Sequence, residues 1–154
     1  MSSGITPTDE CEIHYNALKM NKVYRYILFT ITGSKIDVMK KAKRDSSFQD
    51  FIDDLIQLKD SGCYAVIDYE GEGVKGSNLI FVSWVPDKAT TRMKMLYASS
   101  REHLKARFQG LKGDLQADDI SEVTESALAS KAKEKKHLVL KYISVTGMIA
   151  QSIP

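Results

Sequence analysis

Apolar positions recur along this chain with two periods, and the switch between them marks its elements. "VYRYILFTI" (23–31) is β-branched and aromatic and predicts a strand; "TGSK" turns, and "KIDVMK" returns as the second strand of a hairpin. "CYAVIDYE" (63–70) carries little polar content at its centre, which predicts a strand buried on both faces. "NLIFVSWV" (78–85) is the next strand and Pro86 ends it; the short glycine-rich turn "GEGVKGS" makes these two strands antiparallel neighbours. A short further strand is expected near Leu115 in "LKGDLQA".

Helical spacing fills the intervals. "TPTDECEIHYNALKM" has Cys11, Tyr15 and Leu18 on one stripe, with Thr6 before Pro7 or Thr8 before Asp9 as its cap. "FQDFIDDLIQLK" places Phe48, Phe51, Ile52, Leu55 and Ile56 together, after the basic loop "KKAKRDSS", which ends in a Ser cap, and before the stop "SG". "DKATTRMKMLYASSREHLKARF" (87–108) reads as a third helix. At about 100° per residue, Met93, Leu96, Tyr97, Ser100, Leu104, Phe108 and Leu111 share one side. "DDISEVTESALASKAKEKK" is expected as a last helix, with acids first and lysines last to suit the macrodipole. The opening "MSSGI" is expected to be flexible and exposed, and the apolar tail "HLVLKYISVTGMIAQSIP" fits helix, strand or loose chain. Together these elements predict an α/β (α+β) fold: one domain with a central mixed sheet of about five strands and helices on both faces.

Bulk properties narrow the function classes. At 154 residues the chain suits one domain, and 43% hydrophobic with 27% charged residues is ordinary globular composition. A net charge of +2 does not by itself point to nucleic acid, so an electrostatic partner has to be read by a local patch. Two cysteines, Cys11 and Cys63, make no disulfide scaffold, and no signal peptide precedes them, which points to a reducing cytosol. No apolar run approaches the roughly 20 residues of a membrane span.

Candidate chemistry is sparse. His14, His103 and His137 fall on three predicted helices without metal-ligand spacing. Cys63 sits in an apolar strand as a buried thiol. "YASSREH" holds Ser, Glu and His on one helix, where neighbours do not converge as a triad. "GEGVKGS" lacks the Gly-Lys-Ser/Thr ending of a phosphate loop and leads into a strand. Asp53–Asp54 and Asp118–Asp119 read as solvated helix surface and helix caps. The expectation is a protein that is not an enzyme, with no cofactor and no metal.

One residue stands out. Met95 points opposite the apolar side of its helix, among Ala98, Ser99, Glu102 and Ala106, with Arg92 and Lys94 on its flanks. Small neighbours let another surface approach, and a thioether adapts to irregular pockets. Cations in a first turn oppose the helix dipole, so their presence beside an exposed apolar anchor suggests a binding face. The partner it fits has an apolar cleft with acidic edges.

"WVPDKATTRMKMLYASSREHLK" resembles the signature of the actin-depolymerising factor/cofilin family: Trp, Pro-Asp, Ala, basic-x-Lys-Met and Tyr-Ala-Ser-Ser before a charged helix. "SSGI", "CYAVIDYE", "LIFVSW" and "DLQADDISEV" are similar to its start, central strands and entry to the last helix. The resemblance implies an ADF-homology domain over 1–137 followed by an atypical extension, 138–154. It implies a monomeric actin-binding protein that binds actin monomers and filaments and promotes depolymerisation, located in the cytoplasm with the actin cytoskeleton. By position, Ser3, Gly4, Ile5, Arg92, Lys94, Met95 and Ser99 match the contact to monomer and filament. Ser3 matches a regulatory phosphorylation site, and Arg92 with Lys94 a phosphoinositide-headgroup site.

The match departs in three places. Filament-active relatives carry two cations near the turn before the fourth strand, where this chain has Gly76 and Asn78; Lys75 and Lys131 remain, and Glu134 replaces another cation. Monomer binding is therefore expected to be retained, and stable filament decoration or severing to be weaker than in strong family members, with Lys75, Lys133, Lys135 and Lys136 as compensating charges. The alternative readings are a monomer sequestering or nucleotide-exchange-modulating protein with little filament binding, and a phosphoinositide-responsive adaptor. Gly113 stands where some members have a histidine tied to pH response, so that mechanism is expected to be missing. The apolar tail is the third departure. "KKAKR" (40–44) admits a nuclear import signal, although a solvated charge run is the better reading.

Overall fold

The computed structural model describes residues 4–71 and 73–133. The elements are β1 (Thr6–Pro7), α1 (Asp9–Asn21), β2 (Tyr24–Thr32), β3 (Lys35–Lys43), α2 (Phe48–Gln57), β4 (Cys63–Tyr69), β5 (Asn78–Trp84), α3 (Thr91–Lys105), β6 (Gly113–Ala117), a 3-10 turn (Ile120–Glu122) and α4, residues 125–133. The six strands form one mixed sheet in the order β1-β3-β2-β4-β5-β6. The central pairs β3/β2, β2/β4 and β4/β5 are antiparallel; β1 on β3 and β6 on β5 are parallel.

Alternation along the strands divides the core in two. Ile27, Phe29, Tyr64, Val66 and Phe81 pack under α1 and α3 with Cys11, Tyr15, Leu18, Tyr97 and Leu104. Tyr26, Leu28, Ala65, Ile67, Ile80 and Val82 pack under α2 and α4 with Phe51, Leu55 and Leu128. Every residue of β4 and β5 is buried, the signature of strands covered on both faces. Cys11 and Cys63 are free, buried and on opposite sides of the sheet, so they cannot pair. Burial pushes both thiols up, which keeps them protonated and unreactive.

Several local expectations change. The sheet has six strands rather than five because Thr6–Pro7, expected at a helix cap, is a short strand; a residue before proline is driven to extended backbone. Thr8 is then the N-cap of α1, with no side-chain capping bond: its hydroxyl donates to Asp37 at 2.9 Å. "KKAKR" is no loop. Lys40 to Lys43 lie in β3, Ala42 is buried, and lysines suit a strand whose outer edge β1 covers only at Lys35–Ile36. The third helix starts at Thr91 instead of 87, since residues 86–89 form a turn closed by the Ala89 N–H on the Pro86 carbonyl at 2.9 Å. The last helix is divided, because Asp119 and Glu122 form a capping box on the 3-10 turn and Thr124 caps α4 anew through the Ala127 N–H at 3.0 Å. Asp54 is also not free helix surface: it accepts from the Tyr26 hydroxyl and pairs with Lys40 at 2.7 Å. The tail, His137, Glu134, Lys135, Lys136 and Ser3 lie outside the described residues.

Asp68 is the one fully buried carboxylate described, at 0% exposure. It accepts from Ser77 Oγ at 2.6 Å, the Asn78 N–H at 3.0 Å, Arg44 at 2.8 Å and Lys22 at 3.3 Å. It thereby joins the end of α1, the end of β3 and the β4–β5 turn. Burial alone would raise its carboxyl pKa, but the Ser77 and Arg44 hydrogen bonds and the charges of Arg44 and Lys22 outweigh it and hold it below the ordinary value. A depressed carboxylate stabilises the fold above the unfolded pKa of about 3.9 and loses that contribution as pH falls through its folded value. Asp68→Asn is expected to cost about 1–3 kcal/mol at pH 7. Urea midpoints measured from pH 7 to pH 3 should show the difference from wild type narrowing at the acid end.

Candidate functional site

The rotation of α3 on the sheet sets its outer face. Thr90 caps it, accepting the Met93 N–H at 3.2 Å. On the inner face Tyr97, Ser100 and Leu104 are buried. The Tyr97 hydroxyl donates to the Gly62 carbonyl at 3.2 Å and accepts the Ile31 N–H at 3.4 Å. The Tyr64 hydroxyl donates to the Tyr97 carbonyl, and the two rings meet edge-on at 4.8 Å. Burial pushes the Tyr97 phenol up to about 12, so it stays a neutral donor. One turn on, Arg101 donates to Ser83 Oγ at 2.9 Å, lies 5.6 Å over the Phe81 ring and pairs with Asp114. With one side bound at these points, α3 cannot roll.

Its other side therefore presents Met95 at 66% exposure. Arg92, Ala98 and Ser99 are exposed and Lys94 half-buried. Ser99 Oγ donates back to the Met95 carbonyl at 2.8 Å, which leaves the small hydroxyl folded against the helix. Neither Arg92 nor Lys94 forms an ion pair among the described residues, and the first turn has no acid. The helix thus carries two uncompensated cations at its positive end, an arrangement unfavourable to the helix itself.

The N-terminal arm reaches the same helix. Gly4 is exposed with φ +78°, a conformation suited to glycine. Ile5, expected to be exposed, is 4% exposed and packs in the α1/α3 core. His103 Nδ1 lies 3.1 Å from the Ile5 carbonyl. The arm and Met95 thus share one element, although they are about 90 positions apart in sequence.

The β4–β5 turn gathers the second set of sequence-predicted residues. Lys75 is exposed at its tip. Asn78 is only 6% exposed; its amide donates to the Tyr69, Lys75 and Gly76 carbonyls at 3.2, 3.4 and 3.1 Å. It shapes the turn rather than facing outward. Lys22 and Lys112, which sequence spacing did not single out, both reach Ser77, at 2.6 Å to its hydroxyl and 3.1 Å to its carbonyl. Lys133 closes over Gly73, where an added Cβ would stand 2.7 Å from its Nζ. Lys131 lies on α4, half-buried, with its backbone against Gly113. A side chain at Gly113 would meet Ile80 at 2.9 Å and the Lys131 backbone at 3.0 Å, so the position is tight for a bulky side chain such as histidine.

Comparison with known proteins places the chain in a family. The profile described as "Cofilin/tropomyosin-type actin-binding protein" matches residues 4–133. This chain belongs to the cofilin/ADF family. It is 38% identical over 142 residues to cofilin from Cryptococcus neoformans, covering 88% of this chain and 100% of that protein. It is 36% identical over 135 residues to actin-depolymerizing factor 7 from Arabidopsis thaliana, covering 85% and 96%. A crystal structure titled Streptomyces griseoflavus cofilin superposes with TM-score 0.76 at 37% identity, covering 83% of this chain and 98% of that one.

In this cofilin/ADF chain the outer face of α3 is an exposed helix surface, so it offers docking rather than enclosure. Among the described residues no group of three His, Cys, Asp or Glu side chains could hold a metal ion, and no helix is long and apolar enough to cross a membrane. Arg92→Glu supplies the acid that the first turn of α3 lacks and is expected to stabilise the protein by about 0.3–1 kcal/mol. Thermal denaturation at low salt checks this, and the gain should shrink as salt is raised.

Proposed function

We propose that this protein binds actin through the outer face of α3 and promotes filament turnover in the cytoplasm. The observation that carries the reading is Met95: a large apolar side chain, 66% exposed, on a helix whose opposite face is pinned, with Arg92 and Lys94 beside it and without ion pairs among the described residues. Inserted into an apolar cleft with acidic edges, the thioether supplies buried area and the cations supply steering. Ser99 and Ala98 keep the surroundings low enough for close approach. Gly4 and the Ile5 backbone extend the contact, and Ser3 is the proposed phosphorylation site. A phosphate there adds about −1.5 to −2 charges to the N-terminal segment and opposes an acidic partner. The same two cations are the proposed contact for phosphoinositide headgroups, with the protein acting as a monomer.

The β4–β5 turn is the proposed filament contact. With Asn78 turned inward, its charge comes from Lys75, Lys112 and Lys133, three separate exposed lysines. Exposed point charges are weak and screened, so filament binding is weaker and more salt-dependent than monomer binding.

Burying a methionine side chain is worth about 1.5–3 kcal/mol, so Met95→Ala should weaken monomer binding about 10- to 100-fold with an unchanged melting temperature. Titration against fluorescently labelled actin monomers measures this, and unchanged affinity would refute the α3 contact. In pelleting assays Lys75→Glu/Lys112→Glu should reduce binding to filaments while leaving monomer affinity intact. Raising salt from 50 to 200 mM should mimic the double variant.

A further inference from the structure

The N-terminal arm is attached to α3 by a polar contact that the binding face does not itself explain. His103 lies eight residues, a little over two turns, after Met95, on the same outward side as Met95, Arg92 and Ser99. Its ring is exposed, yet Nδ1 is directed at the Ile5 carbonyl, 3.1 Å away. A carbonyl oxygen only accepts, so Nδ1 carries the hydrogen and Nε2 is left for solvent or a partner. The arm is also attached elsewhere: the Thr6 N–H donates to the Ser34 carbonyl at 3.2 Å, the Thr8 N–H to the Ile36 carbonyl at 2.9 Å, and the buried Ile5 side chain packs in the core that holds Tyr97 and Leu104 of α3. These hold the arm to the body of the protein. The His103 bond adds a polar contact from the outer side of α3 to the Ile5 backbone itself.

We propose that His103 is a positioning residue for the actin-binding face: its Nδ1–H clamps the Ile5 carbonyl and so presets Gly4–Ile5 beside Met95 on one surface. This rests on the α3 reading above and assigns a specific side chain to the joint between its two halves. The physical basis is preorganisation. The hydrogen bond restricts the Ile5 backbone in the free protein, so less of the arm's remaining freedom is lost on contact. An exposed histidine is not needed for the helix, because α3 is already fixed by Tyr97, Ser100, Leu104 and Arg101.

The geometry supplies a discriminating set of variants. An asparagine amide nitrogen falls near the place of Nδ1, whereas a glutamine amide nitrogen falls near that of Nε2, which makes no bond to the arm. His103→Ala and His103→Gln should speed amide exchange at Thr6 about 3- to 10-fold and weaken actin-monomer binding by a similar factor, with an unchanged melting temperature. His103→Asn should restore both values toward wild type. Exchange is read by mass spectrometry on the free full-length chain and binding by titration with labelled actin monomers, with Met95→Ala alongside. Unchanged exchange at Thr6 in His103→Ala overturns the clamp, as does faster exchange with unchanged affinity, or an Asn variant no better than Ala. Met95→Ala binding as tightly as wild type instead refutes the α3 face, while the exchange data still decide whether His103 holds the arm.

Discussion

The orientation of α3 depends on a tyrosine pair. Tyr64 donates to the Tyr97 backbone carbonyl, and Tyr97 reaches past the helix to the Gly62 carbonyl and the Ile31 N–H. These contacts tie one helix to β2, β4 and the loop before β4 while both rings are buried. Polar bonds inside an apolar layer have specific geometry, whereas the surrounding Leu104 and Phe108 contacts would tolerate a small roll. The rotation of the helix is thereby fixed: with Tyr97 inward, Met95 must face out, because residues two apart on a helix lie on roughly opposite sides.

That rotation sets the local preferences of the helix against what its outer face presents. Arg92 and Lys94 sit where the helix dipole disfavours cations, and Met95 holds apolar surface in water. Each departs from what the helix would choose alone. The cost is tolerable because the inner face carries the stability: buried Tyr97, Ser100 and Leu104, the Arg101–Ser83 bond and the Arg101–Asp114 pair are all remote from the outer surface. A rigid scaffold can therefore display an unfavourable but recognisable surface.

The opposite end of the sheet follows a different logic. Asp68 organises the β4–β5 turn from beneath, and Asn78 organises it from within, so these two polar side chains are consumed by shape. Charge at the turn then comes from Lys75 at its tip and from lysines supplied from elsewhere. Lys112 comes from the segment before β6 and Lys133 from the end of α4. A turn that is internally satisfied keeps its form when those lysines change, which separates the geometry of this surface from its electrostatics.

The strands, α1 and α2 were legible in the sequence because each has a repeating apolar pattern, and the outward position of Met95 was legible for the same reason. The block from Trp84 to Lys105 around Met95 also identified the family from the sequence. Boundaries set by single polar groups were not legible: Thr90 begins α3 four residues late, the Asp119–Glu122 box divides the last helix, and Pro7 draws two residues into a sixth strand. Lys22 and Lys112 at the turn and the contact of His103 with the arm were missed because their partners are distant in sequence. Lys22 meets Ser77 across 55 positions and His103 meets Ile5 across 98. Periodicity is a property of adjacent residues, so the sequence alone determined which faces are apolar and which residue is left outside. Which distant polar groups share a donor and an acceptor depends on how the sheet is ordered, and only the tertiary structure decided that.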